Sequence, residues 1–116
     1  MEKVAWMNML YDFYGQLLTD RQKSFMELYY GQNLSLGEIA EEFAVSRQAV
    51  YDTLKRAEQV LSQYEEKLGL VAKFNSEKSK LAAVVSLLDE HVAAAGDSGK
   101  IQKARDILRE MIDLPK

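Results

Sequence analysis

Apolar residues recur along this chain at spacings of three and four, no stretch reads as a credible strand, and the pattern predicts an all-α fold. The first stripe covers residues 2–18 through Val4, Met7, Leu10, Tyr11, Tyr14, Leu17 and Leu18. Trp6, Met9 and Phe13 widen it, and Gly15-Gln16 is only a soft interruption. So broad a stripe implies contact on two sides, one over the elements that follow and one that either finishes a monomer core or meets further helices or a second subunit. A second helix starts at Thr19, where Gln22 is placed to complete a capping box and Asp20 favours the positive end of the dipole. Phe25, Met26, Leu28 and Tyr29 form its core face, and Gly31, in Gly31-Gln32-Asn33, is expected to end it in the left-handed conformation.

Ser35 to Arg56 carries the most information. Ser35 and Glu38 form another capping box, so a helix starts near Leu36; Ala44-Val45 make a short break, and Ser46 is a good N-cap for a helix from Arg47. Ile39, Phe43, Val45, Val50 and Leu54 converge as a small shared core, with Ala40 and Ala44 as size-limited positions. Two capped helices with a tight turn read as a helix-turn-helix, and the helix from Thr19 makes the unit tri-helical. The second helix continues through Ala57, Val60, Leu61, Tyr64 and Leu68 to Gly69, its first clear terminator. From Val71, helical stretches over 71–95 and 100–114 flank Gly96-Asp97-Ser98-Gly99 and read as an antiparallel hairpin. Its facing residues are Leu81, Val84, Val85, Leu88 and Val92 against Ile101, Ala104, Ile107, Leu108, Met111 and Ile112. Asn75-Ser76-Glu77 offers an interruption with Ser76 as a fresh cap, and Pro115 ends the structure.

Projected at about 100° per residue, the helix from Arg47 puts Val50, Leu54, Ala57 and Leu61 on one face and Gln48, Asp52, Lys55 and Gln59 on the other. Arg47, Tyr51 and Arg56 flank the polar face. Arg, Gln and Lys pair well with base edges and phosphates, which makes Arg47, Gln48, Tyr51, Asp52, Lys55 and Arg56 a candidate nucleic-acid-binding surface. Arg21 and Lys23 could reach phosphates, although such charges most often form solvated surface.

Charge works against easy binding. Fifteen Lys and Arg against 18 Asp and Glu give net −3, and Glu38, Glu41 and Glu42 crowd the first helix of the motif. Residues 46–56 hold only Arg47, Lys55 and Arg56 against Asp52, so a monomer should bind weakly and lose binding with salt. A homodimer or a protein partner is needed. The hairpin's cations, Lys73, Lys78, Lys80, Lys100, Lys103, Arg105, Arg109 and Lys116, outnumber its seven acids by one and create no strong field.

At 116 residues the chain has one domain's length, read as a single compact domain with residues 1–70 holding the N-terminal helix and motif and 71–116 the helical extension. It contains no cysteine, so there are no disulfides, thiol nucleophiles or zinc fingers, which suits a reducing cytosol. Without a signal-peptide pattern or a run of ~20 apolar residues, cytoplasmic location and no membrane insertion are expected. His91 is the only histidine, no spacing suggests a metal site, and the Glu41-Glu42 and Glu65-Glu66 pairs diverge around a helix. No enzymatic activity, cofactor or metal is expected.

The Leu18-Thr19-Asp20-Arg21-Gln22 opening before this motif resembles region 4 of bacterial sigma factors. A closer resemblance, over roughly the first 70 residues, is to the YlxM family of small bacterial proteins. It rests on Tyr11-Asp12-Phe13-Tyr14-Gly15, Leu17-Leu18-Thr19, Tyr29-Tyr30, Leu34 to Ala40, Val45 to Asp52 and Tyr64 to Leu70. That resemblance implies a tri-helical helix-turn-helix of sigma region 4 type, here with a preceding N-terminal helix and a C-terminal hairpin. It also implies a connection with the signal recognition particle pathway, because the family is encoded beside that pathway's genes. Two functions follow. One is a DNA-binding regulatory protein, with structured RNA as a further ligand class and signal recognition particle components as partners. The other is a protein or RNA interaction module of the targeting machinery that keeps the helix-turn-helix as a scaffold.

Overall fold

The computed structural model describes residues 2–96 and 98–113. The expected stop at Pro115, the loop position Asp97, the last-helix residue Leu114 and the cation Lys116 lie outside the described residues. The elements are α1 (Lys3–Tyr14), a 3-10 turn (Gly15–Leu17), α2 (Asp20–Met26) widening into a π turn (Glu27–Gly31), α3 (Leu36–Phe43), α4 (Arg47–Leu68), α5 (Leu70–Ala95) and α6 (Gly99–Asp113). No strand occurs among the described residues, and the fold is all-α. The chain divides into two compact units after Val71, within the first turn of α5.

In the first unit α4 is the common partner, touching α1, α2 and α3. Its Val50, Leu54, Ala57 and Leu61 are buried, the stripe that the sequence spacing predicts. Met7, Leu10 and Tyr14 of α1, Phe25 and Met26 of α2, and Ile39 and Ala40 of α3 close around them. Both capping boxes form, with the Gln22 N–H donating to Thr19 Oγ1 at 3.2 Å and the Glu38 N–H to Ser35 Oγ at 3.1 Å. Helices this short rely on such caps and on the shared core.

Several expectations change here. The first helix ends at Tyr14 instead of running to residue 18, because the chain tightens into the 3-10 turn at Gly15 and turns extended at Leu18 (φ −82°, ψ 161°) to enter the Thr19 cap. Leu17, now beyond the helix, is consequently exposed, and so is Val4, since the core begins one turn later at Met7. Gly31 is not left-handed; it closes the π turn, with Gln32 N–H donating to Glu27 O, and Asn33 takes φ 60° instead. Asn tolerates that region through its short polar side chain. The wider turn also brings Tyr30, five residues after Phe25, into the core, leaving Tyr29 half-buried.

Tyrosine–glutamate bonds join these elements. Tyr11 donates to Glu27, Tyr14 to Glu65 at 2.6 Å, and Tyr30 to Glu58 at 2.6 Å, while Lys3 Nζ lies 3.3 Å from Glu58. The Tyr14 hydroxyl also accepts from the Leu70 N–H, and Glu65 from the Val71 N–H. These two acceptors satisfy the first amides of α5 just after Gly69 breaks α4 at φ 61°.

In the second unit α5 runs unbroken through Asn75-Ser76-Glu77, so the expected interruption is absent. Ser76 and Glu77 are exposed and solvated, and without Gly or Pro the local cost stays below what stops a helix. Ser98 Oγ accepts from the Ile101 N–H and caps α6. Leu81, Leu88 and Val92 of α5 and Ile101, Leu108 and Ile112 of α6 are half-buried, while Val85 is buried. Asp89 reaches across the hairpin to Arg105 at 2.7 Å and Arg109 at 3.4 Å.

Burial and the neighbouring carboxylates push the Tyr11 and Tyr30 phenols well above their ordinary titration range, and Tyr14 moves the same way. Unfolded tyrosines titrate near pH ~10. Because the folded phenols hold their protons more tightly, the stability linked to them is complete below pH ~10 and is lost as pH rises through the folded values. Urea midpoints should therefore fall steadily above pH ~10. Tyr14→Phe should cost about 1–3 kcal/mol at neutral pH and lessen that alkaline loss.

Candidate nucleic-acid interface

The turn between α3 and α4 determines how α4 is presented. Ala44 takes φ 56°, ψ 45°, its N–H donates to Glu41 O, and the Val45 N–H reaches back to Ala40 O at 3.0 Å. This is a Schellman ending made with alanine, in a conformation that favours glycine. Ser46 then accepts from the Ala49 N–H at 3.0 Å and starts α4. Ala44 is thus constrained by its backbone as well as by its size.

Of the six candidate side chains, Arg47, Gln48, Tyr51, Lys55 and Arg56 are exposed and Asp52 is half-buried. Gln48, Tyr51, Asp52 and Lys55 form one strip over two turns. Within it the Gln48 amide donates to Asp52 at 2.9 Å, and Lys55 Nζ stands 5.8 Å from the Tyr51 ring centre. Arg47 and Arg56 stand on opposite edges of the strip rather than together. Arg47 lies across the first turn of α3, where a Cβ on Gly37 would come within 3.1 Å of its Nε. Arg21 is engaged with aromatic rings, 5.6 Å from Phe25 and 5.8 Å from Phe43, and it packs against the end of α3.

The electrostatics are mixed. Glu38, Glu41 and Glu42 are exposed on α3, and the Ser35 N–H holds the Glu38 carboxyl below the usual carboxylate range, so that it is charged at neutral pH. Beside the strip the π turn adds what sequence spacing missed: Tyr29 and Tyr30, edge to face at 4.9 Å, line a recess with Lys3, Leu36, Tyr51 and Lys55. An ordinary α-helical projection assigns Tyr29 to the core, and nothing in the sequence marks the wider turn that moves it. Among the described residues no group of three or more His, Asp or Glu converges as a metal site, and no helix is long and apolar enough to cross a membrane.

A compact three-helix core presenting the N-terminal half of α4 is the arrangement of a helix-turn-helix. Residues 1–109 match the UPF0122 family, described as "Putative helix-turn-helix protein, YlxM / p13 like". The chain belongs to the UPF0122 family. A UPF0122 protein of Desulforamulus reducens is 52% identical over 97% of this chain and 96% of its own length. UPF0122 proteins of Bacillus cereus (strain AH187) and Bacillus anthracis (strain A0248) are each 55% identical over 79% of this chain and 86% of theirs. UPF0122 membership accords with nucleic-acid binding and is defined by a helix-turn-helix rather than by an enzymatic activity.

Ala44→Gly tests the turn. Removing the Cβ relieves about 1–2 kcal/mol of left-handed strain, against a glycine entropy cost of about 0.5–1 kcal/mol. The variant should gain roughly 0.5 kcal/mol, read from the denaturant midpoint with an unchanged slope.

Proposed function

We propose that this protein is a cytoplasmic regulator that binds duplex DNA as a homodimer through the outward strip of α4, with a role connected to the signal recognition particle pathway. The observation that carries this reading is the exposure of Gln48, Tyr51 and Lys55 on a helix whose opposite face, Val50, Leu54, Ala57 and Leu61, is locked into the core. A helix so held keeps its polar face in a fixed orientation, as insertion into a major groove requires. Arg47 and Arg56, on the two edges, suit the flanking phosphates. A two-fold dimer would read half-sites about one helical turn apart. The pathway connection is supported by the resemblance to YlxM proteins alone.

Arg47→Ala and Lys55→Ala should each weaken binding to duplex DNA and reduce the slope of log affinity against log salt by about 1. Fluorescence anisotropy on random duplex between about 50 and 200 mM salt reads both quantities. Unchanged affinity in both variants would retire the strip as the reader.

A second reading is favoured by one observation, the exposed acids of α3 lying next to the strip. Such a surface repels phosphates and suits a basic protein partner, so the motif would serve as a scaffold for a targeting component. Glu41→Lys with Glu42→Lys leaves the Ser35–Glu38 cap intact. This double variant should strengthen DNA binding under the first reading and abolish capture of the targeting GTPase under the second. Parallel titration with the targeting-particle RNA separates the RNA alternative.

A further inference from the structure

The hairpin of α5 and α6 has two unlike sides. Measured around each helix from the inward-facing Leu81 and Ile101, Val84 and Leu87 of α5 occupy the same flank as Ala104, Ile107 and Met111 of α6. In an antiparallel pair, equal flanks lie on the same side. The other side is closed by Asp89 with Arg105 and Arg109. The first side is open, with Val84 42%, Leu87 63%, Ile107 53% and Met111 47% exposed. We propose that this apolar side is a dimerisation surface, docking on the same side of a second copy to complete a four-helix bundle.

The choice of a second copy rests on self-complementarity. Asp89, paired with both Arg105 and Arg109, sets the levels of the two helices to within about a turn, with Leu87 near the level of Ile107, Val84 near Met111 and Glu90 near Lys103. A two-fold axis parallel to the helices lays α5 of one copy over α6 of the other. Every level match within one hairpin then becomes a contact between copies. Leu87 meets Ile107 of the second copy and Val84 meets its Met111. Glu90, on the outer edge, meets Lys103 of the second copy, whereas within one chain these two point away from each other on opposite edges. Lys80 and Lys100 close the two ends of the face, and the exposed His91 lies on the same flank one turn beyond Leu87.

Need and size agree with this occupant. Val85 is the only buried residue among those described in the second unit, and two helices alone offer too thin a layer for a core. The fifteen residues of α6 give a face about 22 Å long, and two adjacent helices make it about 20 Å wide. A face of that size places the dimer at the weak end of specific interfaces, in the micromolar range. The inference deepens the homodimer part of the proposed function and is independent of whether the ligand is nucleic acid.

Light scattering of the full chain across about 1–200 µM tests it without any ligand, micromolar association being what so small a face allows. The mass should rise toward twice 13.2 kDa. Leu87→Glu and Ile107→Glu, both at exposed positions, should keep the helical circular dichroism and raise the dissociation constant at least tenfold. Glu90→Lys should weaken the dimer, and adding Lys103→Glu should restore it. A single-chain mass throughout, or a dimer indifferent to Leu87→Glu and Ile107→Glu, overturns the proposal, and a charge swap that restores nothing overturns the two-fold register.

Discussion

The hydrogen bond from Tyr14 to Glu65 ties the start of the first unit to its end. Its two partners are fifty-one residues apart, and the loop closure it requires is offset because both groups serve several neighbours. The phenol fills the core, donates to a carboxylate and accepts from Leu70, and the carboxylate also accepts from Val71. Losing either partner would leave buried polar groups unmatched at the point where α4 ends, which costs more than the bond itself contributes. Tyr30 with Glu58 repeats the arrangement at the margin of the candidate interface, so α4 is held at two places along its length. A helix held in this way presents its exposed side chains without first having to be ordered.

Much of this was legible in the sequence, because the signals involved are local. Thr19 with Gln22, Ser35 with Glu38, and Ser46 each mark a helix start by a bond spanning three residues, and all three form. The α4 stripe is legible for a related reason, since its spacing matches the period of a long regular helix. Gly69 as a terminator follows from its freedom at positive φ.

The π turn was not legible, because one extra residue in a turn changes no composition and shifts every later position. Tyr30 therefore becomes buried, and Tyr29 packs half-buried beside the core. The spacing marks Ala44 only as a size-limited position, whereas its backbone conformation is the stronger constraint, and alanine carries no mark of a left-handed site. The tyrosine–glutamate bonds were invisible because pairing across 16 to 51 residues leaves no spacing pattern. At the candidate interface the spacing marks the strip on α4 with Arg47 and Arg56 flanking it, and the helix carries these two on opposite edges.

The charge distribution limits how such a surface can act. With α3 acidic and α4 carrying three cations around one acid over residues 46–56, the electrostatic term that normally dominates association with a polyanion is small. Weak general attraction lowers the affinity for every nucleic acid, but it lowers competition from random sites as well. A protein with few phosphate contacts must gain its affinity from base-edge contacts, from a second copy or from a protein surface, and each of these is more selective than charge. Net negative charge thus trades reach for discrimination. Pairing two weak surfaces makes that trade workable, because a linked second contact multiplies the first without adding cations.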